Sequence, residues 1–146
     1  MEQFRFNIMN TRPNRMYAAL KAKDDSVVYS HVTALNILGY FSGYGFPVDV
    51  DYYASEDLNV PGSEYHPGTV DASETESFYD GWLVCTNTNR TFEDVLLAHD
   101  SIDDSVICEA LNDYYFSNGK TFDGLVLSEE ARRILKTYEE DAIAYA

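Results

Sequence analysis

The sequence predicts a single α+β domain, in which a small, mainly antiparallel sheet packs with three to five helices. The length of 146 residues is that of one ordinary domain, so residues 1–146 are expected to fold as one unit. Hydrophobic residues make up 45% of the chain and aromatic residues 14%, which is enough to bury a core. Segments that alternate every second residue are interspersed with segments of helical period, and this mixture predicts both strands and helices.

The N-terminal third predicts a strand followed by two helices. Apolar and polar residues alternate over residues 3–9, as in a half-buried strand. Thr11 shortly before Pro13 is typical of a helix start, and this helix is expected to continue through residues 16–22. An apolar stripe at helical spacing predicts a second helix over residues 27–40.

The middle of the chain predicts two strands separated by a long loop. Apolar residues alternate with Asp49 and Asp51 over residues 46–53, so this strand is expected to have one apolar and one acidic face. Residues 54–76 are rich in Pro, Gly, Ser, Thr and Glu and are expected to form a loop. A second strand is expected over residues 77–86.

The C-terminal part predicts three helices and one more strand. Thr91 has the spacing of a capping box and predicts a helix that ends near His99. Another helix is expected over residues 101–116, and a short strand over residues 121–127 follows an Asn-Gly turn. Ser128 is expected to cap the last helix.

The charge distribution is the main functional signal. The chain has 25 acidic and 10 basic residues, a formal charge of −15. Residues 24–89 contain eleven of the acids and no Lys or Arg, whereas residues 1–23 contain five basic residues and one acid. Such segregation costs stability through self-repulsion, so it favours a surface that binds a cationic partner. The same charge disfavours direct binding to nucleic acid or to an anionic membrane.

The predicted partner-binding surface combines acids of this base-free segment with neighbouring tyrosines. Asp49 and Asp51 are expected to lie roughly 6.5–7 Å apart on one strand face, near the separation of neighbouring phosphates. Tyr supplies contact area at low entropic cost and stacks on Arg. The predicted residues are Asp49, Asp51, Tyr52, Tyr53, Glu56, Asp57, Glu64, Asp71, Glu74, Glu76 and Asp80.

In its small size, its charge of −15 and its 12 Tyr, the chain resembles the acidic nucleic-acid mimics of phages and mobile elements, such as anti-restriction and anti-CRISPR inhibitors. The resemblance implies a protein that binds and inhibits a basic nucleic-acid-binding partner (a nuclease or a defence complex) and is not an enzyme. No motif matches one family, so no family residue is transferred. Two other classes stay open: a generic acidic accessory or immunity-type protein without mimicry, and a small carboxylate-dependent hydrolase. Adaptation to high salt is the other explanation that stays open for the acidity.

The histidines and cysteines predict no metal and no cofactor. None of them has a Cys or His partner at the short spacing of zinc sites, and no phosphate-binding or nucleophile motif is present. His31 lies on an apolar stripe and is expected to be buried, whereas His66 is expected to be exposed. Asp100, Asp103 and Asp104 are expected to stabilise the start of a helix.

The composition also predicts a cytoplasmic location, in the host cytosol if a phage encodes the protein. Two cysteines are too few for a disulfide framework, and no apolar run is long enough for a membrane span. The first residues lack the pattern of a secretory signal. The oligomeric state, monomer or homodimer, is not determined by these features.

Overall fold

The computed structural model describes residues 12–43 and 49–145, and over these residues the predicted α+β class is confirmed. The helices are α1 (Arg12–Lys23), α2 (His31–Leu38), α3 (Thr88–Leu97), α4 (Asp104–Ser117) and α5 (Glu129–Ile143). The strands are β1 (Val28–Tyr29), β2 (Val50–Tyr53), β3 (Ser63–His66), β4 (Thr75–Phe78) and β5 (Leu83–Thr86). Short 3₁₀ turns lie at Ala72–Glu74 and His99–Ser101.

The five strands form one mixed sheet in the order β3-β2-β1-β5-β4. β1 is antiparallel to β2, and β4 is antiparallel to β5. β2 is parallel to β3, and β1 is parallel to β5. The sheet is therefore not antiparallel only, because the β2–β3 connection returns the chain to the end of the sheet where β2 begins, so that β3 runs in the same direction as β2.

Two apolar clusters hold the fold together. In the first, Tyr17 and Leu20 of α1 pack on one face of the sheet, against Tyr29, Tyr52 and Cys85. The second lies among the other helices, and its large buried side chains include Leu35, Phe92, Leu96, Ile107, Leu111 and Leu135. Among the described residues, this second cluster includes none from a strand. The face of the sheet that points toward it is therefore available for polar side chains.

The N-terminal helices are close to the prediction, with one difference at the start of the second. The helix predicted from residues 16–22 is confirmed as α1. Residues 27–40 do not form one helix, because Val28 and Tyr29 form the central strand β1, which pairs with strands on both sides. The helix ends at Gly39, whose φ of 90° is the left-handed conformation that favours glycine, rather than further along.

Two of the strand predictions and one loop prediction are wrong in detail. Residues 77–86 form a hairpin rather than one strand, because Tyr79, Asp80 and Gly81 adopt positive φ and reverse the chain between β4 and β5. The predicted loop 54–76 contains β3, which adds to the sheet as an edge strand. Residues 121–127 form no strand, since Phe122 and Leu125 join the helical cluster. The strand predicted over 3–9 lies outside the described residues, as do positions 46–48 of the next predicted strand.

Side-chain caps set the starts of the last three helices. The predicted capping box at Thr91 is wrong, because α3 is capped by Asn87, whose side chain accepts from the backbone N–H of Arg90. Thr91 is instead buried and bonds Thr86 through their hydroxyls at 2.6 Å. Asp103 caps α4. The predicted cap at Ser128 is confirmed, since its hydroxyl accepts from the next turn at 3.1 Å.

Burial of tyrosine hydroxyls predicts alkaline unfolding. Burial raises the pKa of Tyr17 to about 12, against roughly 10 in an unfolded chain. A raised folded-state pKa contributes stability that is complete below pH 10 and is lost as pH rises toward 12. Between pH 9 and pH 11, we expect the free energy of unfolding of Tyr17→Phe to fall by about 1 kcal/mol less than that of the wild type. Urea titration at each pH measures both. The control is Tyr145→Phe, at an exposed site; equal losses in the wild type and in Tyr17→Phe would contradict the expectation.

Candidate functional site

A polar face of the sheet is built by two neighbouring parallel strands. Asp51 pairs in register with Glu64, and Tyr53 pairs with His66. Because side chains alternate along a strand, these four lie on the same face, opposite the one that packs on α1. Sequence spacing alone gave no sign of this pairing, since the two strands are separated by a connection of nine residues, 54–62.

Asp51, Glu64 and His66 form the centre of this face. The Nε2 atom of His66 lies 3.0 Å from Oδ1 of Asp51 and 3.8 Å from Oε2 of Glu64. Asp51 is only 7% exposed, whereas Glu64 reaches solvent. Burial raises the pKa of Glu64, and the neighbouring Asp51 carboxylate raises it further. Two carboxylates thus converge beside one imidazole.

The two histidines of this face, His31 and His66, are stacked, and their pKa values are shifted in opposite directions. The rings of His31 and His66 lie 3.8 Å apart and are nearly parallel. Burial lowers the pKa of His31, and the neighbouring His66 lowers it further. Burial alone would also lower the pKa of His66, but the bond to Asp51 and the surrounding carboxylates outweigh it, so the pKa of His66 is raised. A positive charge in this pair is therefore held on His66.

These positions decide both histidine predictions. His31 is buried as expected, and its Nδ1 lies 2.6 Å from the hydroxyl of Ser30. The expectation that His66 is exposed is wrong, because its ring is covered by His31 and held by Asp51. His31 also has a φ of 53°, which is uncommon for a residue other than glycine and places its ring at the first position of α2.

A second polar network covers the other half of the face. The Tyr53 hydroxyl donates to Asp94 of α3 at 2.8 Å. Arg90 donates to Asp94 at 3.0 Å and to Glu74 at 3.1 Å, and its guanidinium lies 5.1 Å from the centre of the Tyr53 ring. Arg90, the first basic residue after the base-free segment 24–89, is thus the counterion of both Asp94 and Glu74. None of these contacts was predicted from the sequence.

Next to the carboxylates of Asp51 and Glu64, two adjoining cavities form a groove. The smaller, of about 200 Å³, lies between the β2–β3 edge and the start of α4, and the larger, of about 670 Å³, lies between α4 and α5. Ile102 and Asp103 line both, and we call the two together the acidic groove. Its carboxylates are Asp49, Asp51, Glu64, Asp100, Asp103, Asp104 and Asp141. No Lys or Arg is found among the described residues that line it.

One patch on α5 has the opposite character. A third cavity, of about 290 Å³, is lined by Glu129, Arg132, Arg133 and Lys136. Three of these four side chains are basic. This patch on α5 is therefore mainly basic, whereas the described lining of the acidic groove has no Lys or Arg.

The structure separates the residues of the predicted partner-binding surface. Asp49, Asp51 and Glu64 line the acidic groove. Glu56 and Asp57 are exposed in the β2–β3 connection. Asp71, Glu74, Glu76 and Asp80 lie on or beside β4, at the opposite edge of the sheet. Four strand spacings of about 4.8 Å put these edges roughly 19 Å apart, so the predicted acids do not form one patch.

Three of the predicted surface residues are in fact buried. Asp51, Tyr52 and Tyr53 are 7%, 0% and 8% exposed. The alternating pattern assumed that one face of β2 is open to solvent, but both faces are covered. The Tyr52 hydroxyl lies in the first apolar cluster and donates to Asp57 at 3.2 Å. These residues are covered by other elements of the fold, and of the three only Asp51 reaches the acidic groove.

Four carboxylates of the groove were missed by sequence reasoning as binding residues. Asp100, Asp103 and Asp104 were assigned only to a helix start, and Asp141 was not considered. Asp103 does cap α4, and Asp104 accepts from the Tyr138 hydroxyl at 2.7 Å, but both also face the groove. The dense run of acids around residue 100 was the available signal, because it is as poor in bases as the preceding segment.

No protein-family model, curated protein or solved structure matches this chain. In the part of the chain that the structure describes, the helices are too short or too polar to cross a membrane.

Proposed function

We propose that this protein binds a basic, nucleic-acid-binding partner through the acidic groove and blocks the entry of nucleic acid into that partner. The observation that carries the proposal is the lining of the groove, which contains seven carboxylates and, among the described residues, no Lys or Arg. The partner class is a nuclease or a defence complex, and the protein acts as an inhibitor of the anti-restriction or anti-CRISPR kind. Such partners operate in the cytosol, the host cytosol if a phage encodes the protein.

The electrostatics of a cleft support this assignment. A concave surface lined by charges of one sign focuses the field and raises the rate at which oppositely charged groups associate. Proteins that grip nucleic acid present Lys and Arg spaced for phosphates, and carboxylates at similar spacing attract the same side chains. In this arrangement, Asp49 and Glu64 form one end of the groove and Asp141 the other.

The segregation of charge favours a directed surface over uniform acidity. Adaptation to high salt is expected to spread acids evenly over a surface. Here the lining of the third cavity, on α5, is mainly basic, while both cavities of the acidic groove are free of Lys and Arg among their described lining residues. A general solvation role gives no reason for this division.

The proposal is tested by capture and competition. Immobilised protein is incubated with nuclease-rich lysate at roughly 0.1 M and roughly 1 M salt, between which the Debye length falls from about 10 Å to about 3 Å. We expect basic nucleic-acid-binding proteins to be retained only at the lower salt concentration. After purification, a retained protein should be displaced from the column by duplex DNA. Retention that does not depend on salt, or that DNA does not reverse, would contradict the proposal.

A further inference from the structure

We propose that Asp51, Glu64 and His66 form a binding site for one divalent transition-metal ion, for which Zn²⁺ is the probe. This site does not depend on the proposed partner. It was not predicted from the sequence, because its three ligands have no metal-site spacing along the chain. The ligands instead come from two strands that pair in parallel.

The distances fit the first coordination shell of a metal. One ligand atom from each of the three side chains lies within 4.8 Å of the other two. The separations from His66 Nε2 are 3.0 Å to Asp51 and 3.8 Å to Glu64. Tetrahedral ligands about 2.1 Å from a zinc ion lie roughly 3.4 Å from one another, a value between these two separations. Small side-chain movements are therefore enough to close the site around an ion.

The net charge of the three side chains is negative, which favours binding of a cation. With His66 protonated, two carboxylates and one imidazolium have a net charge of −1, and with His66 neutral the net charge is −2. The nearby Arg90 is already bonded to Asp94 and Glu74. A buried carboxylate such as Asp51 is costly unless it is paired or coordinates a metal. When a divalent ion binds, Nε2 of His66 gives up any proton that it holds, and the ion with its three ligands then has a net charge of zero.

The donor set favours a transition metal over calcium or magnesium. One imidazole nitrogen with two carboxylate oxygens suits Zn²⁺ or Mn²⁺, whereas Ca²⁺ and Mg²⁺ prefer oxygen ligands alone. Backbone pairing fixes two of the ligands, since Asp51 and Glu64 are register partners, and stacking on His31 fixes the ring of His66. The smaller cavity opens onto the site and is lined by Asp49 and Asp103, which leaves room for further ligands or water.

The test compares two single-charge variants in exposed strand positions. Glu64→Gln removes a ligand from β3, whereas Glu76→Gln makes the same change on β4 at the far edge of the sheet. In Zn²⁺ titrations against a competing chelator, we expect the wild type to bind one equivalent. Glu64→Gln should weaken binding at least about tenfold, and Glu76→Gln should leave it unchanged. Because both residues are exposed, both variants are expected to fold, which circular dichroism checks.

A second measurement locates the ion. Sub-stoichiometric Mn²⁺ should broaden the NMR signals of His66, His31 and Tyr53 before those of the rest of the chain, since these rings lie together. Broadening that first affects Asp100, Asp104 and Asp141 would overturn the assignment, because it would place the ion in the larger cavity. Equal zinc affinities of the two variants, or the absence of a saturable equivalent in the wild type, would show adventitious binding to acids only and would also overturn it.

Discussion

Replacing Arg90 by methionine is expected to lower the free energy of unfolding by about 3–5 kcal/mol, the largest effect of any single substitution outside the apolar clusters. The side chain of Arg90 is 19% exposed and is bonded to Asp94, whose side chain is 10% exposed. Methionine keeps much of the packing volume but leaves the Asp94 carboxylate buried without a counterion. It also removes the guanidinium from the Tyr53 ring. Urea unfolding measures the difference.

Two further variants separate charge from packing. Arg133→Met removes an exposed arginine from α5 and should change stability by less than about 0.5 kcal/mol. Adding Asp94→Asn to Arg90→Met should restore at least about 1 kcal/mol, because the buried charge disappears while the amide oxygen still accepts from Tyr53. If the double variant is no more stable than Arg90→Met, the loss comes from packing rather than from an unpaired carboxylate.

Neutralising three acids of the groove is expected to weaken partner binding about tenfold or more. The variant is Asp49→Asn, Asp100→Asn and Asp141→Asn, at three exposed positions spread along the groove. None of them caps a helix or carries the buried contacts of Asp51, so the fold is expected to persist. The loss should appear mainly in the association rate and should shrink at high salt, because long-range attraction is screened. Surface plasmon resonance against the captured partner measures both.

The matched control makes the same change in charge elsewhere. Glu76→Gln, Asp80→Asn and Asp123→Asn also remove three exposed acids, two of them at the β4 edge. This triple variant should bind within about twofold of the wild type. Equal losses in both triples would mean that net charge alone governs binding and that there is no defined site. A loss of binding in the control variant alone would place the site at the β4 edge. That site would contain Glu76 and Asp80, which the sequence predicted to bind the partner.

The helices were predictable because their signals are local. The apolar stripe of α5 and its capping serine are neighbours in the sequence. The residues that mark the ends of α1 and α4 are likewise next to the helices that they delimit. The strands were less predictable, since β1 has only two residues and takes its conformation from β2 and β5 on either side. A two-residue strand has no periodicity of its own. Its tendency toward helix was overridden by the pairing.

The candidate site was predicted only in part. Asp49 and Glu64 are exposed acids, as expected, but Asp51, which was expected to be exposed as well, is buried. Alternation correctly placed Asp51 opposite Tyr52. It could not show that α2 and α3 cover that face with His31, Arg90 and Asp94. Whether a polar strand face meets solvent depends on where distant segments pack, and local pattern does not contain that information.

The sequence by itself determined the charge of this protein, the separation of its acids from its bases along the chain, and the α+β class. These follow from composition and from periodicity over neighbouring residues. Only the tertiary structure decided which acids share a groove, and only it brought Asp51, Glu64 and His66 together. The physical reason is that the parallel pairing of β2 with β3 and the packing of α4 against α5 are set by burial of apolar side chains. The positions of the acids therefore follow from the packing of the apolar side chains.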